Sequence, residues 1–302
     1  MSLLRLFADQ LLPVFLAAGA GYALAATLRP DPRPLSHIAF YLFAPCLVFQ
    51  IIVESRVSGD VMLRMLGFVV VTLGVLTAVA AAIVYGLRWP KPLSSAVLLT
   101  VLLPNAGNFG LSANLLAFGS EGMARAGLYF ITSSIIAFTA GVLVASMGRA
   151  RLGPALGGLV RVPVIWAVIL AFVLGVLGWS PPAPVSRTIQ LLSQACVPCL
   201  LVILGMQLRE STLRGPVRPL LLATGLRLVG GALVGLLCAP LFGLTGPARQ
   251  AGVLQSSMPT AVVSIILATE YDVEPSFVTS VVLLTTLLSP LTLTPLLAYL
   301  KG

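Results

Sequence analysis

Apolar residues run along this chain in long stretches, and charged residues fall almost entirely between them. An α-helix needs roughly 20 mostly apolar residues to cross hydrocarbon, and stretches of that order predict ten spanning helices. They run from Leu11 to Leu28, Leu35 to Val53, Met65 to Leu87, Ser94 to Phe118, Ala124 to Met147, Val162 to Gly178, Val185 to Leu208, Pro219 to Leu241, Ala248 to Thr269 and Phe277 to Leu297. The connections are short, and none has room for a soluble domain. The longest, Gly148 to Arg161, is rich in Gly and Arg without an apolar period and reads as a mobile loop. Arg5 precedes an apolar run ending near Ala23-Leu24-Ala25, as in a signal peptide. Because Pro13 begins a stretch long enough to span and the second half has a matching helix, this segment is expected to stay in the mature protein.

Composition strengthens the membrane reading. With 58% apolar and 9% charged residues over 302 positions, and a mean hydropathy of +1.06, the chain has too little charge to coat a water-soluble globule. The net charge of +9 is spread over loop ends rather than gathered on one face, so it points to anionic lipid headgroups and not to nucleic acid. Counting Lys and Arg in alternate connections gives ten on one side and seven on the other. The positive-inside rule then places the central loop in the cytoplasm and both termini outside, in a cell's inner (plasma) membrane.

The fold class follows from an internal repeat. Ser95 to Ala106 (SAVLLTVLLPNA) aligns without gaps to Gln250 to Ala261 (QAGVLQSSMPTA), a constant offset of 155 that pairs Pro104 with Pro259. Pro45-Cys46-Leu47 on the second helix corresponds to Pro198-Cys199-Leu200 on the seventh at nearly the same offset. Five helices per half is an odd number, so the second copy must enter the membrane from the opposite face. The expected architecture is an all-α membrane protein of two inverted five-helix repeats, residues 1–147 and 162–302, joined by the linker 148–161, as found in many secondary transporters.

The repeat also locates the chemistry. A proline inside a helix lacks an amide donor, so Pro104 frees the carbonyl of Thr100 and Pro259 frees that of Gln255. Unpaired backbone groups in lipid cost several kcal/mol each, so breaks at matching mid-membrane positions mark a protein-lined or hydrated site. Past each break the half-helix offers free amides and the positive end of its dipole, which suit a carboxylate. All three asparagines of the chain, Asn105, Asn108 and Asn114, fall in the fourth helix, with Gly107 and Gly110 among them. Pro104 to Gly110 therefore reads as an unwound polar crossover with glycines allowing close backbone approach. Its counterpart supplies Gln255, Ser256, Ser257 and Thr260 around Pro259. These amides and hydroxyls either bind substrate or glue helices together; their pairing by symmetry favours binding.

Arg227 is the charged residue placed well inside a span. Mid-helix arginine costs about 2.5 to 3.5 kcal/mol on insertion scales. It either holds the crossover and adds positive potential for an anion, or snorkels to the interface. Other candidates carry less. Cys46, Cys196, Cys199 and Cys238 lie within spans and read as small apolar residues. His37, the lone histidine, has no partner for a metal site and reads as interfacial. Thr132, Ser133, Ser134, Thr279 and Ser280 either line a cavity or bond back to their own helices.

Three segments resemble the auxin efflux carrier family, which includes the plant PIN proteins and bacterial permeases for small organic acids: Leu103-Pro104-Asn105, Gly225-Leu226-Arg227-Leu228, and Gln255 to Pro275, with its Glu270-Tyr271-Asp272 turn. The resemblance implies a bile-acid-symporter/NhaA-like fold. It also implies a homodimeric scaffold of helices 1, 2, 6 and 7 and a transport domain of helices 3–5 and 8–10 that moves as an elevator, with substrate beside Asn105. The chain departs from PIN proteins in having Thr260 after the second proline, a short central loop, and no acid in the third helix. The missing acid argues against auxin itself and against an ion site inherited from the family, while Thr260 makes the site less symmetric.

The leading expectation is therefore a carrier of small organic anions, auxin-like or malate/malonate-like, with no cofactor and no metal. An intramembrane enzyme would need acids or a histidine facing a cavity, and no acid lies in the middle of a span. A channel would need a filter or a charged ring, and no such pattern is present. Sodium, proton and potential-driven movement all remain open on this reading.

Overall fold

The computed structural model describes residues 3–55, 59–146, 163–179, 181–210 and 213–302. The central loop expected from Gly148 to Arg161 lies outside them. Among the described residues the chain is helical apart from short turns and one isolated β-bridge. In chain order the helices are α1 (Leu3–Thr27), α2 (32–55), α3 (Gly59–Gly86), α4 (Lys91–Leu102), α5 (106–118), α6 (120–145), α7 (Pro163–Leu177), α8 (Ala183–Glu210), α9 (Val217–Leu241), α10 (Gly246–Ser256), α11 (Val263–Glu270) and α12 (Pro275–Lys301).

Six described helical runs are long and apolar enough to cross a membrane: α1, α3, the α5–α6 run, α8, α9 and α12. This is a multi-pass membrane protein. Of the ten expected helices, the fourth and ninth are each divided at the break, leaving α4 and α10 short, and α7 is likewise short. Other boundaries shift for local reasons. Asp31 caps α2 by accepting a 2.9 Å bond from the Arg33 amide, so the helix begins at Pro32 instead of Leu35. The Asp60–Arg64 ion pair, at 2.8 Å and spaced i,i+4, lies in the added first turns of α3. The loop expected between Phe118 and Ala124 shrinks to Gly119, whose φ of 67° reverses the chain at a single residue.

Two groups of helices pack among themselves. α8 lies along α1 and α2, and α7 packs on α2. α3 packs against α4, the α5–α6 run and α9, while α10 packs on that run and on α9, and α12 closes over α4, α9, α10 and α11. Five π turns interrupt the described helices, at Phe7–Leu11, Ala39–Phe43, Ala106–Leu111, Ala137–Gly141 and Leu226–Gly230. Each takes one more residue per turn than an α-helix and so rotates every side chain after it. Two of them begin at, or contain, residues of the polar centre: Ala106 directly follows Asn105, and Arg227 sits inside the last.

Candidate functional site

α4 stops at Leu102 and α10 at Ser256, and the extended segments that follow cross antiparallel. The Asn105 amide donates to the Pro259 carbonyl at 2.7 Å, and the Ala261 amide donates to the Leu103 carbonyl at 2.8 Å. Pro104 and Pro259 are thus brought together, as the repeat predicts. The carbonyls they leave behind are both satisfied. Thr100 accepts from the Thr260 hydroxyl at 3.0 Å, and Gln255 accepts from the Met258 amide at 3.2 Å. With no water in hydrocarbon to do it, protein groups must satisfy the unwound backbone.

Beyond the crossing, α5 and α11 start with their N-termini at a cavity of about 380 Å³. The first-turn amides of Gly107 and Asn108 precede the first intrahelical bond of α5, made by the Gly110 amide to the Asn105 carbonyl at 2.9 Å. Both residues line the cavity, together with Pro104 and Asn105; from the other half come Ala261, Val262 and Val263. The positive ends of two helix dipoles therefore meet there. Asn105 is only 4% exposed, its Oδ1 caps α5 by accepting from the Phe109 amide at 3.4 Å, and its Nδ2 has no hydrogen-bond partner. A buried amide donor without a partner is costly unless a ligand or water takes it.

The second half of the expected site turns the other way. Gln255, Ser256, Ser257 and Thr260 are fully buried and lie outside the cavity lining. Gln255 Nε2 donates to the carbonyls of Ala106 and Ala126, both at 3.1 Å, and its side chain lies over Gly110, where a Cβ would overlap it. Ser256 bonds to the Gly231 carbonyl at 3.1 Å, and Ser257 bonds back to Val253 at 2.7 Å. Pairing by symmetry thus extends to the backbone crossing but not to the cavity face.

Arg227 does not snorkel. It is fully buried, its Nη1 donates to the Val101 carbonyl at 2.6 Å, and its Nη2 donates to the Ser256 carbonyl. Asn114 also stays off the cavity, donating to the Gly110 carbonyl at 2.8 Å.

Sequence reasoning missed the far wall, which α2 and α8 supply: Ser36, His37, Phe40 and Tyr41 from one, Leu200, Ile203 and Gln207 from the other. His37 is a cavity residue as well as a helix-end one, a placement its isolation in the sequence did not signal. Ser133 and Ser134 do both things considered for them, bonding back to the Phe130 carbonyl at 2.9 and 2.8 Å while facing the cavity. Thr132, Thr279 and Ser280 bond to backbone carbonyls and lie off it. A second cavity, of about 620 Å³, sits at the other end of the same interface, between Gln50 of α2, Ser193 and Gln194 of α8, and Glu121 and Arg125 at the start of α6.

A polytopic helical chain whose buried polar crossing faces a cavity has the build of a membrane transport protein. The family described as "Membrane transport protein" matches residues 6–145 and 146–297. The chain belongs to that family, the auxin efflux carriers that its motifs resemble, as a bacterial- or archaeal-type member. Two relatives illustrate the likeness. A protein of Methanothermobacter thermautotrophicus named "Uncharacterized transporter" is 26% identical over 86% of both chains. A Rhizobium meliloti protein named "Putative malonate transporter" is 29% identical over 96% of this chain and 95% of its own.

Proposed function

We propose that this protein is a secondary carrier of small organic anions, bound where the two broken helices cross. The observation that carries the reading is the cavity beside Asn105. Two helix N-termini converge on it, Asn105 Nδ2 lacks a partner, and no Asp or Glu lines it. Preorganised amides and dipoles of this kind favour a carboxylate without a full positive charge. Asn105, Asn108 and the backbone at Gly107 bind the anion, while Gln255, Ser256, Ser257 and Thr260 hold the crossing from behind.

The lining also bears on the cargo. Apart from His37 and Tyr41 the cavity wall has no ionisable side chain, and Phe40, Phe130, Leu111 and Ile203 make much of it. A monocarboxylate with an apolar body suits this wall; a dianion such as malonate, named for the Rhizobium meliloti relative, would also need the polar edge of the wall at Ser36, His37 and Tyr41.

Movement is read as an elevator in a ten-helix inverted repeat. The α1, α2, α7 and α8 group is the scaffold, expected to dimerise, and the remaining helices carry the site. Support comes from the two cavities, which lie at opposite ends of one interface between these groups. Insertion in the inner membrane with both termini outside rests on the loop-charge asymmetry.

The test is a screen of aromatic, mono- and dicarboxylate anions by solid-supported-membrane currents on reconstituted protein, with and without sodium. Saturable currents lost in Asn105→Ala support the carrier; currents absent for every anion, or unaltered by that change, reject it. Single-channel openings would favour a channel instead.

A further inference from the structure

The two carbonyls that Arg227 holds are related by the repeat. Val101 and Ser256 are 155 positions apart, the offset that pairs Pro104 with Pro259. Each lies in the last turn of its broken helix, where carbonyls lack intrahelical partners and the dipole is negative. One guanidinium thus bridges equivalent negative ends, Nη1 to Val101 and Nη2 to Ser256. No acid neutralises it: among the described residues the ion pairs are Arg5–Asp9 and Arg64–Asp60, whose side chains are about half exposed or more. The offset places Thr72 of α3 opposite Arg227, so the second half alone supplies a cation.

The surroundings are shaped around this group. The π turn Leu226–Gly230 carries Arg227, and Gly231 follows it directly. A Cβ at Gly231 would overlap both the Ser256 carbonyl and Arg227 Nη2. Only a residue without a side chain lets α9 approach closely enough for the guanidinium to reach between the two helix ends. Converging carbonyls at interrupted helix ends are also the donor set by which transporters coordinate a monovalent cation.

We propose that Arg227 is a resident cation: a positioning residue filling a monovalent-cation site between the Val101 and Ser256 carbonyls and tying the two broken helices into one unit. The inference rests on the carrier reading for its meaning in transport, but the site itself is testable without transport. Removing the guanidinium leaves two unpartnered carbonyls facing one another, a vacancy that a small cation of matching charge fills.

The experiment is thermal unfolding of purified, detergent-solubilised protein against millimolar guanidinium chloride, sodium chloride and choline chloride. Arg227→Ala is expected to show a saturable rise in melting temperature of several degrees with guanidinium or sodium, absent with choline and absent in the unsubstituted protein. A folded, monodisperse Arg227→Ala that neither cation stabilises overturns the proposal. Should Arg227→Ala not fold, Arg227→Lys and Arg227→Gln decide. A melting temperature near that of the unsubstituted protein for Lys, with a marked loss for Gln, supports a cation; equal behaviour of the two overturns it. In proteoliposomes, cation rescue of Arg227→Ala uptake links the site to transport. Cation stabilisation in a protein that moves no anion would defeat the carrier reading and leave the cation site standing.

Discussion

Thr260 donates its hydroxyl, at 3.0 Å, to the carbonyl of Thr100, the carbonyl that Pro104 deprives of its amide. The contact joins residues 160 positions apart. A break in the first half is therefore mended by a side chain of the second, and the two breaks are stable together in a way that neither is alone.

Thr260→Val keeps the shape and removes the hydroxyl. The Thr100 carbonyl is then buried without that partner, at a cost of about 1–3 kcal/mol. The expected result is a lower melting temperature in detergent, restored by Thr260→Ser. An unchanged Thr260→Val melt would show that the carbonyl finds another donor.

Gly110 lies beneath the Gln255 side chain, which bridges the Ala106 and Ala126 carbonyls. Gly110→Ala forces that amide aside and is expected to destabilise by about 1–3 kcal/mol through overpacking. Pairing it with Gln255→Ala checks the mechanism. The double variant should lose less than the two single losses added, because the small residue makes room for the methyl.

Asn105→Ala removes the unpartnered donor, and the expected loss of anion affinity is about ten- to a hundredfold, the range for a hydrogen bond to a charged group. Asn105→Asp should do worse, placing a carboxylate where the substrate's carboxylate belongs. Asn108→Ala should weaken binding less, since the first-turn amides remain. Isothermal titration with the best anion of the current screen measures all three. Equal affinity for Asn105→Asp and the unsubstituted protein would remove Asn105 from the site.

The two cavities predict opposite accessibility. In a chain whose four free cysteines are replaced, Ser36→Cys and Gln207→Cys should react with a membrane-impermeant thiol reagent from one face. Gln194→Cys and Glu121→Cys should react from the other. Labelling of both pairs from a single face would show that the cavities do not open to opposite sides.

Much of this was legible in the linear chain. Lipid tolerates few polar groups, so a proline beside the three asparagines in an apolar run stands out, and a second proline 155 positions later marks its equivalent. The same penalty made Arg227 conspicuous. What the chain did not disclose was direction. A polar residue at a break reads alike whether it faces a cavity, as Asn108 does, or a neighbouring backbone, as Ser256 does. Successive residues on a helix point about 100° apart, and the π turns at Ala106–Leu111 and Leu226–Gly230 shift that phase by amounts no periodicity announces.

By itself, then, the sequence determined the solvent, the helical class, the position of both breaks and the residues liable to serve them, because each follows from the local cost of placing a given group in hydrocarbon. The tertiary structure decided which of those groups meet. That Arg227 reaches Val101 and Ser256 at once, that Thr260 serves Thr100, and that His37 and Gln207 line the same cavity as Asn105 depend on helices far apart in the chain packing together. Close packing over the whole molecule sets such distances, and no local stretch encodes them.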